Sequence, residues 1–275
     1  MHHPSSCPAM RDFKRLLSCL LAALCAACAQ TMPQPSGPLA FNAATVGSPG
    51  SRATAELYRP EGAGPFPAVV ALHGCDGVSP HYRTWARRLA SWGYVVLLVD
   101  SFGPRNLRTV CNHGRDVPPE LRAQDALAAA AYLRARPDVV GSRIGVIGFS
   151  HGGWTVLKSV LASDAGVEVT HPFAAAVAFY PGCEMPRSVL LTDTLILIGD
   201  ADDWTPAARC ERWRDIVMKH GHTVEMIVYR GAVHGFDTSR PPHAFAGHIV
   251  GQDPAAAEDA IARTQTFFRQ RLMAP

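Results

Sequence analysis

The sequence predicts an α/β domain in which a mostly parallel sheet carries helices on both faces. Three observations carry that expectation. Short runs such as residues 68–72 and 94–99 are apolar at nearly every position rather than at alternate ones, the pattern of strands buried on both faces. They alternate along the chain with segments of helical composition, as units with parallel strands require. The third is Gly148-Phe149-Ser150-His151-Gly152, extended by Gly153, standing where the apolar run 144–147 meets an apolar helical segment, 154–161. A G-x-S-x-G at a strand-to-helix junction has the form of a nucleophile elbow. Its sharp turn lifts the Ser hydroxyl clear of the backbone, and the flanking positions are Gly because a Cβ would collide with neighbouring chain.

Taken in order, residues 52–58 read as an early strand and 68–73 as the next, followed by a helix over 82–92. The unbroken apolar stretch 94–100 is a strand, and the Ala-rich segment 119–136 a helix, since Ala has the highest helix propensity. Residues 143–148 form the strand before the elbow, 173–180 another, and 195–198 a short β-rich run. A helix over 207–220, a strand over 224–229 and a final helix over 255–273 complete the pattern. There is no internal repeat.

A Ser nucleophile needs a base that is neutral near pH 7, which His supplies, and a carboxylate to orient that base. In hydrolases with this elbow the chain order is Ser, then Asp or Glu, then His. Run 195–198 ends in Gly199-Asp200-Ala201-Asp202-Asp203-Trp204-Thr205-Pro206, three carboxylates in a loop at a strand end, where open α/β sheets put their sites. Strand 224–229 is followed by Gly231-Ala232-Val233-His234-Gly235-Phe236, and His234 alone among the histidines combines a strand end with the right chain order. His243 and His248 are loop residues placed to edge a pocket. Upstream, the strand ending at Leu72 leads into His73-Gly74-Cys75-Asp76-Gly77, a loop able to aim the backbone N–H of Cys75 at a carbonyl oxygen beside the N–H of His151. For His151 the backbone is the useful part and the ring is incidental.

Together His73-Gly74-Cys75-Asp76-Gly77, Val99-Asp100-Ser101-Phe102, the elbow with Gly153, Phe179-Tyr180-Pro181-Gly182-Cys183, the loop 199–206 and His234-Gly235-Phe236-Asp237 resemble the dienelactone hydrolase family. The resemblance implies the α/β-hydrolase fold, a Ser150–Asp202–His234 triad and hydrolysis without metal or organic cofactor. By the family pattern the acid stands four residues before Pro206, which is Asp202, with Asp203 the fallback and Asp200 the outsider. One residue departs from the family: dienelactone hydrolases proper use a Cys nucleophile where this chain has Ser150. That departure points to a general carboxylic-ester or lactone hydrolase acting on a small molecule. The rival class is a non-catalytic exported binding protein on a hydrolase scaffold, against which the intact Ser, Asp and His stand. A zinc hydrolase would need an H-x-x-x-H or similar spacing, and none is present.

For the substrate, Arg105 and Arg108 in the loop after the 94–100 strand are candidates to pair a carboxylate, or are solvent-facing loop arginines. Trp204, Phe236 and Phe102 are candidate pocket walls. Residues 239–254, rich in Pro, Gly and His, are either a short lid or an ordinary loop. No long insertion follows the 173–180 strand, so the expected cap is small or absent.

The 48% hydrophobic content suits one large globular domain, placed at residues 51–275. The net charge of +3 comes without a basic run, which argues against a nucleic-acid partner. Arg11, Lys14 and Arg15 precede a short apolar run, 16–27, and the A-x-A-like Ala27-Cys28-Ala29, so residues 1–29 read as a signal peptide with Gln30 the first mature residue. The apolar run is too short for a dedicated membrane span. Lipid attachment at Cys28 is the alternative processing. Residues 30–50 read as a linker. After export Cys75, Cys111, Cys183 and Cys210 remain, an even number in an oxidising compartment. Of the three connectivities, Cys75–Cys111 with Cys183–Cys210 is preferred, because each pair comes from loops after neighbouring strands or the helix that follows.

Overall fold

The central strands are buried on both faces, as their unbroken apolar runs require. In the computed structural model, which describes residues 33–34, 38–42 and 52–273, Val69, Val70, Val96, Val146, Val177 and Ile196 are all fully buried. The strands are β1 (Pro38–Asn42), β2 (Arg52–Tyr58), β3 (Phe66–Leu72), β4 (Val95–Asp100), β5 (Val139–Phe149), β6 (Ala175–Phe179), β7 (Thr194–Gly199) and β8 (Val224–Tyr229), with a short pair, β9 (His243–Phe245) and β10 (His248–Val250). The helices are α1 (Pro80–Ser91), α2 (Pro119–Arg134), α3 (His151–Ser159), α4 (Ala207–Ile216) and α5 (Pro254–Phe268).

The first eight strands form one sheet in the order β1-β2-β4-β3-β5-β6-β7-β8. From β4 to β8 every pairing is parallel, whereas β1 and β2 run antiparallel at one edge. Helices α2 and α3 pack on each other and on β3 and β5; α1 lies along β4, and α5 along β6 and β7. The parallel register brings the ends of β3, β5, β6, β7 and β8 to one edge, so the loops that follow them converge there.

Two segments differ from the expectation. Pro38–Asn42, inside the expected 30–50 linker, is a strand paired antiparallel with β2, from Pro38 opposite Glu56 to Asn42 opposite Arg52. The reason is that β2 would otherwise end the sheet with unpaired N–H and C=O groups. Within 239–254, β9 and β10 form a hairpin whose two-residue turn, Ala246-Gly247, takes positive φ at both positions (49° and 86°), the geometry that matches strand twist in such turns. This hairpin is the small cap. The expected signal peptide, its cleavage site and Cys28 lie outside the described residues. Among the described residues no helix is long and apolar enough to cross a membrane.

Candidate active site

Strand β5 delivers Ser150 and α3 begins at the next residue. Ser150 sits at φ 54°, ψ −116°, a backbone state that costs an L-residue about 1–3 kcal/mol and persists only where neighbours enforce it. They do so here: the Ser150 N–H donates to the Phe179 carbonyl at 2.9 Å, and the Ser150 carbonyl accepts from Trp154 N–H at 2.9 Å. The glycines allow the approach. A Cβ on Gly148 would lie 2.2 Å from the Gly152 carbonyl oxygen, and one on Gly152 would lie 2.3 Å from that of Leu72.

His234 stands five residues past the end of β8 and Asp202 three past the end of β7, and both are buried. His234 Nε2 is 2.8 Å from Ser150 Oγ, and its Nδ1 is 2.8 Å from Asp202 Oδ2. The carboxylate is held further: Oδ1 accepts from the N–H groups of Trp204 (3.0 Å) and Thr205 (2.8 Å), and Oδ2 accepts from the Thr205 hydroxyl at 2.8 Å. Asp203 instead faces His248 Nδ1 at 3.4 Å and is half exposed, while Asp200 accepts from Gly231 N–H on the surface. The loop therefore brings Asp202, not its neighbours, to His234. Thr205, which the sequence reading passed over, also reaches the Tyr180 carbonyl at 3.1 Å and ties the Asp202 loop to the end of β6. Its signal was a Thr just before the Pro that opens a helix.

Behind His234 lies a buried carboxylate. Asp237 accepts from Trp85 Nε1 at 2.7 Å and from the Tyr180 hydroxyl at 2.6 Å, with His81 Nε2 at 3.2 Å. Burial works against the Asp237 charge, yet His81 and the two donors hold its pKa below the usual carboxylate value. The Tyr180 ring, fixed this way, packs edge-on against the His234 imidazole at 4.7 Å.

The segments carrying Cys75 and His151 flank Ser150 and line its cavity. A fully buried arginine links them. From α2, Arg122 donates to the His73 carbonyl at 2.7 Å and to His151 Nδ1 at 2.7 Å, and His151 Nε2 donates to the Gly114 carbonyl at 2.7 Å. The His151 ring is thus a structural strut, not an incidental group. Burial, then the Arg122 charge, pushes its pKa down to about 3, so it stays neutral, and burial lowers Arg122 to about 10. Sequence alone hid Arg122 inside an Ala-rich helix. Disulfides Cys75–Cys111 and Cys183–Cys210 anchor the loops after β3 and β6.

Two cavities meet at Ser150, of about 220 and 260 Å³, and both are lined by Cys75, Ser150 and Trp204. Trp204 also packs against His234 at 5.0 Å and stacks on His248 at 4.7 Å. Other expected pocket residues are elsewhere. Arg105 is committed to a bidentate pair with the fully buried Asp125 (2.7 and 2.9 Å) and to the Ser101 carbonyl (2.6 Å), so its guanidinium braces the loop rather than meeting a substrate. Phe236 is fully buried among Phe179, Tyr180 and Tyr229, a core residue rather than a wall. Phe102 is buried edge-on to His73 under the Arg122 guanidinium, and Arg108 lines a different cavity with Glu56 and Asp100.

The sheet order, the elbow after β5 and the converging loops after β7 and β8 define an α/β-hydrolase. More narrowly, the chain belongs to the dienelactone hydrolase family, whose model matches residues 53–272. A Bradyrhizobium protein named probable 2-oxo-3-(5-oxofuran-2-ylidene)propanoate lactonase is 26% identical to it over 248 residues, 85% of this chain and 96% of that one. In fold, dienelactone hydrolase from Anabaena variabilis is similar with a TM-score of 0.62 at 19% identity, covering 88% of this chain and 99% of its own. A thermophilic esterase from Thermogutta terrifontis reaches 0.64 at 18% identity, covering 87% and 94%. The protein is a hydrolase.

Proposed function

We propose that the protein hydrolyses small carboxylic esters or lactones through an acyl-enzyme on Ser150. The observation that carries this reading is the unbroken series Ser150 Oγ–His234 Nε2–Nδ1–Asp202 Oδ2, with both links at 2.8 Å and the Ser on a strained turn. Ser150 Oγ attacks the carbonyl carbon while His234 Nε2 takes its proton. Asp202, held by four hydrogen bonds, keeps the imidazole in the tautomer with Nδ1–H and stabilises the imidazolium. The backbone N–H groups of Cys75 and His151 receive the oxyanion, each such donor contributing about 2.7–4 kcal/mol. His234 then gives its proton to the departing alkoxide, and the same base activates the water that frees the acyl group.

Export belongs to the same reading, with residues 1–29 as the signal peptide; two disulfides in the structure suit an oxidising compartment. The mass of the mature protein distinguishes an N-terminus at Gln30 from a lipid on Cys28.

The test is hydrolysis of p-nitrophenyl acetate by the mature protein beside Ser150→Ala and His234→Ala. Loss of ~10³-fold or more in both variants is expected, and equal rates in all three proteins would overturn the mechanism.

A further inference from the structure

We infer that the cavity on the His234 side of Ser150 is a leaving-group site for an aromatic alcohol, so that the preferred substrates are uncharged esters carrying a ring in the alcohol part. This rests on the acyl-enzyme reading above and goes on to assign each half of the divided site.

The two cavities differ in one decisive lining residue. The 260 Å³ cavity includes His234 and the 220 Å³ cavity does not, whereas the latter alone includes His151 and the disulfide cysteines Cys111 and Cys183. Around the tetrahedral carbon, the oxyanion must face the N–H groups of Cys75 and His151. The departing oxygen must lie within reach of His234 Nε2, because that nitrogen supplies its proton. As the C–O bond breaks, its electron pair stays on the oxygen, the proton from Nε2 neutralises it, and the acyl group stays on Ser150. The alcohol part therefore occupies the His234-lined cavity and the acyl part the other.

The walls of the His234-lined cavity suit a flat apolar group. They are Trp204, Phe245 and Val250, with Tyr82 and Tyr180 beneath. Stacking on His248, 11° from parallel, sets the tilt of the Trp204 indole, and the Phe245 ring stands 6.0 Å from it at 48°. Phe245 is 43% exposed, an apolar ring left open to water beside a reactive serine. A ring entering between Phe245 and Trp204 buries both in offset or edge contacts, the favoured aromatic geometries. Besides the histidines His234 and His243, the ionisable side chains lining this cavity are Asp76 and Arg240, both exposed residues, and Asp76 already accepts from the Tyr82 hydroxyl at 2.7 Å. The opposite cavity also has aromatic walls, Trp154 and Trp204, but there Glu184, paired with Arg115 and Lys158, and the exposed Arg209 share the lining, so a ring entering it meets charged groups.

Benzyl acetate and methyl phenylacetate provide the test. They are isomers that release alcohols of nearly equal acidity, and they differ in which side of the ester bears the ring. Measured titrimetrically on the mature protein, kcat/KM for benzyl acetate is expected to exceed that for methyl phenylacetate by about tenfold or more. In Phe245→Ala, a change on the exposed hairpin, that ratio is expected to fall by about 3- to 10-fold. Equal or reversed preference in the wild type, or a ratio that Phe245→Ala leaves unmoved, would overturn the assignment. Ser150→Ala separates the two readings. If it abolishes both reactions while the preference is absent, only the leaving-group assignment falls; if it leaves both reactions intact, the acyl-enzyme falls and takes the assignment with it.

Discussion

Replacing Gly152 by Ala is expected to disable the site without touching a reacting atom. A Cβ there would lie 2.3 Å from the Leu72 carbonyl oxygen and 2.6 Å from that of His73. Carbon–oxygen contacts settle near 3.3 Å, so about 1 Å of overlap must be relieved. Helix α3 has no room to retreat, because Gly153 already abuts the Phe179 carbonyl on the β6 side, where a Cβ would come within 2.8 Å. The end of β3 must yield instead, and the Cys75 N–H two residues beyond His73 moves with it. A misplacement of about 1 Å costs about 10²-fold, and full loss of an oxyanion donor 10²–10³-fold. We therefore expect kcat on p-nitrophenyl acetate to fall by about 10²–10³-fold. Overpacking should cost about 1–3 kcal/mol of stability, read from urea unfolding. A folded Gly152→Ala protein with kcat within about threefold of wild type would refute the placement of the oxyanion donors on the β3 loop.

Two further outcomes follow from the same geometry. Asp202→Asn should lower kcat by about 10⁴-fold by favouring the wrong imidazole tautomer, while Asp203→Asn, whose carboxylate faces His248 on the surface, should stay within a few-fold of wild type; equal losses would reopen the choice of acid. Stability should decline with acid. His151, with its pKa near 3 in the fold against about 6.5 unfolded, is protonated only in the unfolded chain between those values, so falling pH favours unfolding throughout that window. At pH 5 its share is about 2 kcal/mol relative to pH 7. His73 is displaced the same way by burial and then Arg122, and His81, raised by Asp237 against its burial, acts oppositely. The readout is therefore the difference between wild type and His151→Gln in urea midpoint at the two pH values, and a decline equally steep in both proteins would count against a buried neutral His151.

Local pattern carried the fold class. Residues 68–72, 95–99 and 195–198 are apolar throughout because they pack on both faces, and period and burial in a strand are read directly from composition. The same locality placed Ser150, the aspartate loop and His234 each just beyond an apolar strand. β1 was invisible for the opposite reason: its pairing partner lies ten residues or more away, and its neighbourhood of prolines reads as linker. Arg122 was hidden because nothing in an Ala-rich helix announces which single position turns inward to a loop and a helix start from other parts of the chain.

The sequence by itself determined the class of sheet, the order Ser150, aspartate loop, His234 at successive strand ends, and the glycines without which the elbow clashes, since these depend on backbone sterics and the periodicity of burial. Only the tertiary structure decided which of three neighbouring aspartates meets His234, that Arg105 is spent on Asp125, that Phe236 belongs to the core, and that two cavities meet at Ser150 with Trp204 in the wall of each. Those outcomes depend on side-chain direction between segments distant along the chain, and a shift of one residue in a loop turns the same carboxylate toward the base or toward water.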